Sequence, residues 1–212
     1  MASVQDEVSA SQTRTKRGKE TRVALMNAAR RVIARDGYLD SRIVDMTREA
    51  GKSVGVFYTY FTGKEELLGA LAEECRDDVL QRYDAIDPSA DTYDVFLAIV
   101  RIYWKASIDH GAVFLGLTEA AHASPRFGAF LRDLQSLART NVAHHVRVLQ
   151  QRGQCPSLDP EQAAHALCSM LDAVCYQHNV RRQHKRTRAL DQDEVILNLA
   201  QLMFHAVAWS GP

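Results

Sequence analysis

The sequence lacks net charge, long apolar runs and a leader segment. Its 26 Lys and Arg residues balance 26 Asp and Glu residues, so the total charge indicates no particular partner. No run of about 18 apolar residues occurs, and we therefore expect no membrane span. The N-terminus is polar and has none of the apolar core of a signal peptide. These absences favour a cytoplasmic globular protein with no membrane partner.

Cysteines are few, and they form no CxxC pair. Two of them stand seven residues apart on one predicted helix, too far along its axis for a disulfide. We therefore expect reduced and mostly buried thiols. The four residues are Cys75, Cys155, Cys168 and Cys175.

Metal sensing and thiol sensing are alternatives that the sequence supports poorly. The side chains of His165, Cys168 and Asp172 could share one helix face because they are spaced by three and four residues. Zinc sites need more convergent ligands than this. No neighbouring feature favours a thiolate at Cys168 or Cys175. We expect no metal and no cofactor.

Motifs of common enzyme classes are also missing. The sequence holds no Gly-rich phosphate loop, no nucleophile elbow and no paired carboxylate motif. We therefore expect that the protein is not an enzyme. An all-helical ligand-binding or hydrolytic protein is the alternative class.

Charge is distributed unevenly along the chain. Residues 14–60 contain eleven Lys and Arg against five Asp and Glu, a local charge of +6, whereas residues 61–212 carry −4. A basic segment on an acidic body favours contact with a polyanion, although a solvated basic tail would look the same.

The apolar residues recur with helical spacing from about Lys16 onward, and no convincing strand pattern occurs. Residues 1–13 are polar and aperiodic, which predicts a disordered arm. The remainder divides into nine helices with short connections. We predict an all-α fold, a nine-helix bundle with an N-terminal three-helix head and a C-terminal body.

Turn and capping residues mark several helix ends. Gly37 is placed for a left-handed C-cap of the first helix. Ser124-Pro125 predicts the start of a long helix near the middle of the chain. Thr62 and Glu65 predict a capping box that opens the fourth helix.

Two short helices joined by a turn at Gly51 form a helix-turn-helix pattern between Ser41 and Lys64. Apolar and small residues at i, i+3, i+4 and i+7 predict the buried face of the first of these helices: Ile43, Met46, Thr47 and Ala50. Residues of similar spacing on the next helix can pack against them: Val54, Phe57 and Phe61.

The opposite face of that second helix is polar and aromatic. It holds Ser53, Gly55, Val56, Thr59 and Tyr60, with Tyr58 at its side. Phenol and hydroxyl groups donate to phosphate oxygens, and glycine allows a close approach. A helix of this kind fits the major groove of DNA. Lys64 follows at a helix N-terminus, where free N–H groups favour an anion. The pattern predicts a DNA-binding face.

Several short motifs give the chain a family resemblance. Residues 36–38 read Asp-Gly-Tyr, residues 50–51 read Ala-Gly, residues 55–61 read Gly-Val-Phe-Tyr-Thr-Tyr-Phe and residues 64–67 read Lys-Glu-Glu-Leu. Together, over about residues 20–70, they resemble the TetR family of bacterial regulators. The rest of the chain matches that family in helix count and layout.

The resemblance implies a ligand-responsive transcriptional regulator, most simply a repressor released from its DNA by a small molecule. It implies a homodimer that pairs through the last two helices and reads a near-palindromic double-stranded operator. By position, bases or nearby backbone would meet Lys52, Ser53, Val54, Gly55 and Thr59. Phosphates would meet Ser41, Arg42, Tyr58, Tyr60 and Lys64.

The same resemblance implies a small-molecule effector pocket bounded by the fourth to eighth helices. We expect residues 14–62 to form the DNA-binding domain and residues 63–212 the ligand-binding and dimerisation domain. Large aromatic side chains mixed with a few polar groups favour a mostly apolar ligand. The candidate pocket residues are Val100, Tyr103, Trp104, Phe114, Leu117, Leu134, Asn141, Asp172, Cys175 and Tyr176. Ser107 and Gln177 are further polar candidates.

A second basic cluster lies near the end of the eighth helix and in the loop after it. Its residues suit the negative end of the helix dipole. A second nucleic-acid site is the alternative interpretation. The cluster consists of Arg181, Arg182, Lys185, Arg186 and Arg188.

Overall fold

A computed structural model describes residues 3–87, 90–183 and 191–208, with side chains described for residues 16–87, 90–178 and 191–208. Within these ranges the chain forms nine α-helices and no strand, which confirms the all-α prediction. The helices are α1 (Ser3–Asp36), α2 (Ile43–Glu49), α3 (Val54–Tyr58), α4 (Lys64–Asp84), α5 (Thr92–Asp109), α6 (Gly111–Ala121), α7 (Pro125–Gln151), α8 (Pro160–Gln183) and α9 (Gln192–Ala208).

The first helix begins earlier than the sequence pattern indicates. It starts at Ser3, inside the segment 1–13 for which we predict a disordered arm. That segment has no proline, and the first glycine is Gly18, so no residue in it interrupts a helix. The far end is as predicted, because Gly37 has a φ of 81° and ends α1 in the left-handed region.

The turn and caps of the short helices differ in detail from the prediction. Gly51 has a φ of 63°, as the α2–α3 turn requires. Helix α3 is shorter than predicted because its C-cap lies at Thr59, whose hydroxyl donates to the Val56 carbonyl at 2.7 Å. The box that opens α4 uses Glu66 in place of Glu65, since the Glu66 carboxylate accepts from Thr62 N and Oγ1 at 2.6 and 2.7 Å.

Two apolar cores hold the helices together. The head-side core joins α1, α2 and α3 to α4, α6 and the first half of α7. Leu68 of α4 and Leu117 of α6 are both fully buried in it. The body core lies between α5, α7, α8 and α9. The head has too few residues to bury a core alone, and α4 and α6 complete it, so movements of these two helices reach the head directly.

No helix in the described part of the chain is long and apolar enough to cross a membrane. The second basic cluster lies outside the described side chains.

Candidate nucleic-acid interface and internal cavity

Helix α3 presents a continuous face to solvent. Tyr58 is 56% exposed and Val54 is 39% exposed. The predicted base-facing residues are all exposed there: Lys52, Ser53, Val54, Gly55 and Thr59. Val54 therefore belongs to this face and not to the buried face. We call this set, with Tyr58, the α3 face.

The α3 face is held in place from behind by aromatic packing. Phe57 is fully buried and packs against Phe61, with ring centroids 5.6 Å apart. Met46 of α2 is fully buried in the same core. At the N-terminus of α3 the Ser53 hydroxyl accepts from Val56 N at 3.2 Å. The buried side of this short helix fixes the direction in which its exposed side points.

The residues predicted to contact phosphates differ in their exposure. Arg42 and Tyr58 are exposed, and Tyr60 is partly buried beside the head-side core. Ser41 is only 4% exposed, and its hydroxyl donates to the Tyr38 carbonyl at 2.7 Å. The hydroxyl proton of Ser41 is therefore used to close the loop between α1 and α2 and is not free for the predicted phosphate contact.

Lys64 is also engaged within the protein. Its Nζ donates to the carbonyl oxygens of Tyr38, Leu39 and Ser41 at 2.7, 3.1 and 3.0 Å. It also lies 4.5 Å from the centroid of the Tyr38 ring. Burial lowers the pKa of this ammonium group. Because an ammonium has three N–H donors, all three are used on the α1–α2 loop, and none is left for the predicted phosphate contact in this arrangement.

Glu119 of α6 holds the same loop from the other side. One of its carboxylate oxygens accepts from Tyr38 N at 2.8 Å and from Leu39 N at 3.0 Å. The loop between α1 and α2 is thus fixed by a cation from α4 and an anion from α6. Sequence reasoning missed Glu119, since no local pattern signals a bond to a loop 80 residues away. We call Lys64 and Glu119 the loop clamp.

A charged network ties the start of α6 to α4. Arg82 bridges Asp78 at 2.6 Å and Asp109 at 2.7 Å, and His110 Nε2 lies 2.7 Å from Asp78. Hydrogen bonds and ion pairs in this network hold the pKa of both carboxyl groups below their ordinary value, against the effect of burial. Helix α6 is therefore anchored at both ends, to α4 at its start and to the head loop near its end.

A cavity of about 630 Å³ lies beside α6 in the body. It is bounded by α4, α5, α6, α7 and α8, with one residue of α1 at its edge. The α6 residues that line it include Phe114 and Thr118. Thr118 directly precedes Glu119, so the cavity wall and the loop clamp are adjacent on one helix. The volume suits a drug-sized molecule.

The cavity contains one acidic group among mostly apolar walls. Asp172 accepts from Gln135 Nε2 at 3.1 Å and interacts with the Tyr103 hydroxyl. Burial raises the pKa of Asp172, while the Tyr103 hydrogen bond and Arg139 act in the opposite direction. Burial likewise raises the pKa of Tyr103 well above its ordinary value. No Lys, Arg or His lines the cavity within the described ranges.

The structure places some of the predicted pocket residues at the cavity wall and others elsewhere. Six of them line it: Tyr103, Phe114, Leu134, Asp172, Cys175 and Tyr176. Val100 and Trp104 are instead buried in the body core with residues of α9, and Leu117 lies in the head-side core. Asn141 donates to the Leu137 carbonyl at 2.9 Å and does not line the cavity. These four predicted residues therefore lie outside the cavity wall.

Some residues of the cavity wall were not predicted from the sequence, and one was named only as a further polar candidate. Val79 and Tyr83 reach the cavity from α4, and Gln135 reaches it from α7. Ser107, a further candidate, also lines it, whereas Gln177 is exposed and does not. The apolar positions of α4 follow one helical pattern, and this pattern does not indicate which of them face the cavity. Only the packed structure identifies Val79 and Tyr83 as cavity residues.

The thiols are buried and none forms a disulfide, as predicted. Burial raises the pKa of Cys75 and Cys168 to about 12 and that of Cys175 to about 11. Thiolate, the reactive form, is therefore scarce at neutral pH. Among the described residues, no three His, Cys, Asp or Glu side chains lie together as a metal site would require.

Sequence comparisons match the head and most of the body to known regulators. The model of the family described as bacterial regulatory proteins, tetR family, matches residues 25–71. The transcriptional regulator EthR of Mycolicibacterium smegmatis is 27% identical over 71% of this chain and 74% of its own. The transcriptional regulator BetI of Rhizobium meliloti is 28% identical over 76% of this chain and 78% of its own.

Structural comparison extends the likeness over the whole fold. A bacterial regulatory protein of the tetR family from Rhodococcus RHA1 superposes with a TM-score of 0.73. The match covers 91% of this chain and 98% of that one, at 21% identity. At this identity the likeness concerns the arrangement of the helices.

Proposed function

The chain belongs to the TetR family of bacterial transcriptional regulators, and from this premise we propose that it is a repressor that leaves a near-palindromic operator when a small, mostly apolar molecule enters its cavity. The observation that carries the proposal is the placement of α6, whose side chains line the cavity and whose Glu119 holds the head loop. The cavity wall and the contact that holds the head loop therefore lie on the same helix.

We assign the DNA contacts to the α3 face and to residues around it. Lys52, Ser53 and Thr59 lie at the two ends of α3 and can reach base edges or the nearby backbone. Arg42 and Tyr58 are exposed beside them and suit phosphate oxygens. Tyr60, which is partly buried, is a less exposed candidate of the same kind. Ser41 and Lys64 are left out because their polar groups are used within the protein.

We assign dimerisation to α8 and α9. Both helices present large apolar side chains to solvent in the single chain: Tyr176 is 56% exposed, Leu197 43% and Leu202 59%. Exposed apolar surface on adjacent helices favours burial against a second copy. Two copies joined there would carry two α3 faces, which must lie about 34–36 Å apart to enter successive major grooves.

We propose that the effector acts through α6 and not through α4 alone. A molecule in the cavity presses on α6 side chains such as Phe114, and the end of α6 carries Glu119 to the α1–α2 loop. Helix α4 takes part because it also lines the cavity and contributes Lys64. Coupling of this kind needs only that the effector binds one head arrangement more tightly than the other.

The proposal is tested by DNA binding of the full-length protein. A duplex selected from a random library should bind with an affinity that falls steeply as salt rises, because cations of the head release counterions from phosphate. Lys52→Ala should weaken binding and reduce the slope of log affinity against log salt. Arg101→Ala, which removes an exposed cation from α5, is the matched control and should change neither.

Failure to select any duplex, or an affinity independent of salt, would contradict the proposal and favour an all-helical ligand-binding protein. Equal effects of the two substitutions would place the interface somewhere other than the α3 face.

A further inference from the structure

The chemistry of the cavity specifies the charge of its ligand. We propose that the effector is an organic cation, an amine or quaternary ammonium on an apolar frame, whose positive group pairs with Asp172. This rests on the proposed function in one respect, that the cavity is the effector site. It goes further by naming the ligand class and the residue that selects it.

Asp172 has no ion-pair partner among the described side chains. The charge of Arg139 acts on it through space, but the Arg139 guanidinium lies 3.5 Å from His165 Nδ1 and donates to the Arg132 carbonyl at 3.3 Å. The contacts of the carboxylate are the Gln135 amide and the Tyr103 hydroxyl, which are neutral. The carboxylate is partly buried and its direct partners are neutral, so its charge has only the through-space influence of Arg139, and a bound cation would pair with it.

Four aromatic side chains line the same cavity as this carboxylate. Tyr83, Tyr103, Phe114 and Tyr176 all line the cavity. The faces of such rings attract an ammonium group by cation–π interaction. The Tyr83 hydroxyl is shielded from solvent and has no hydrogen-bond partner in the described part of the chain. Buried hydroxyl groups are usually satisfied, and the side chain that carries this one lines the cavity.

Other ligand charges fit this cavity less well. An anion would meet the Asp172 carboxylate without any Lys, Arg or His on the described walls to balance it. A neutral apolar molecule would cover the carboxylate and increase its desolvation without providing a counter-charge. Only a cation both fills the apolar volume and offsets the charge.

The experiment uses three probes that share one apolar frame: 4-phenylbutylamine, 4-phenylbutan-1-ol and 4-phenylbutyrate. Their affinities for the full-length, DNA-free protein are measured by calorimetry at neutral pH. We expect the amine to bind at least about tenfold more tightly than the alcohol, a difference of about 1.4 kcal/mol. We expect the carboxylate to bind most weakly.

Asp172→Asn tests the residue itself, because it keeps the shape and the hydrogen-bond acceptor but removes the charge. The preference for the amine over the alcohol should disappear in this variant. Asp133→Asn is the matched control, since Asp133 is exposed on α7 and does not line this cavity. It should keep the preference. Circular dichroism of both variants checks that the helices are intact.

The possible outcomes test the ligand class and the repressor mechanism separately. Equal affinity of amine and alcohol, a preference for the carboxylate, or no measurable binding of the amine would overturn the inference. Release of the selected duplex by the alcohol would at the same time uphold the repressor mechanism. An amine that binds through Asp172 but never releases the duplex would uphold the ligand class and contradict the mechanism.

Discussion

The α3 face and the cavity differ in almost every physical property. The α3 face is convex, exposed and part of a segment with a charge of +6. The cavity is concave, mostly apolar and contains one carboxylate, Asp172, with no described cation on its walls. One surface suits a large polyanion and the other a small apolar molecule, so the two partners cannot compete for the same groups.

Because the two surfaces share no groups, any influence of one partner on the other must travel through the protein. Helix α6 provides the physical connection, because it forms a cavity wall and also holds the head loop through Glu119. Substitutions can weaken one surface at a time, or the connection between them.

The largest effect is expected from a negative charge on the α3 face. Gly55 has room for a side chain, since an added Cβ would meet only Ser53 Oγ at 3.8 Å. Gly55→Glu should therefore fold but lower duplex affinity about 100-fold or more, because like charges in an interface cost several kcal/mol. Fluorescence anisotropy measures the affinity. Gly55→Ala is the control for bulk, and an equally large loss in both variants would show that size and not charge matters.

The next largest effect is expected from weakening the contact between α6 and the α1–α2 loop. Glu119→Ala leaves Tyr38 N and Leu39 N without their acceptor and should lower the free energy of unfolding by about 1–3 kcal/mol. Thermal and denaturant unfolding measure this. Glu73→Ala, at an exposed position of α4, should change stability by less than about 0.5 kcal/mol. Unchanged stability in Glu119→Ala would mean that α6 does not hold the loop.

Substitution of Lys64 distinguishes a role in holding the α1–α2 loop from a role in binding DNA. As a clamp, Lys64→Met should lower the free energy of unfolding by about 1–3 kcal/mol, because three loop carbonyls lose a donor. The salt slope of duplex binding should stay the same. A phosphate contact would give the reverse pattern, with full stability and a slope reduced by about 1. Unfolding and salt titration of the same variant decide between the two.

The smallest effect is expected from the carboxylate at the cavity wall. Burial raises the pKa of Asp172 above 3.8, so at neutral pH its charged form opposes folding. Asp172→Asn should raise the free energy of unfolding of the ligand-free protein by less than about 1 kcal/mol. The gain should shrink as pH falls through the raised pKa, because protonation then removes the same charge. Thermal unfolding from pH 7 to pH 4 checks this, and a gain that grows on acidification would contradict it.

The sequence predicts the helices well because their signals are local. Helical spacing, Gly37 and the Ser124-Pro125 start place most boundaries within a few residues of those observed. The outward direction of Tyr58 follows from its offset to Phe57, which the core buries. Each of these features depends on neighbours in the chain, and a local pattern therefore suffices.

The remaining features depend on contacts between distant residues. Trp104 and Tyr103 are adjacent in sequence, yet only Tyr103 reaches the cavity, because packing against α9 sets the rotation of α5. Lys64 bonds carbonyls 23 to 26 residues earlier in the chain, and no spacing rule indicates such a bond. Its position at a helix N-terminus instead favours an anion, which is why the sequence predicts a phosphate there.

The most direct test of the connection between the two surfaces is a measurement of reciprocal binding. The affinity of the tightest-binding phenylbutyl probe is measured on the full-length protein with and without saturating duplex. Because coupling between two sites is reciprocal, the duplex should weaken probe binding by the factor by which the probe weakens duplex binding, about 5-fold to 150-fold. Equal probe affinity with and without the duplex would contradict the coupling between the cavity and the α3 face.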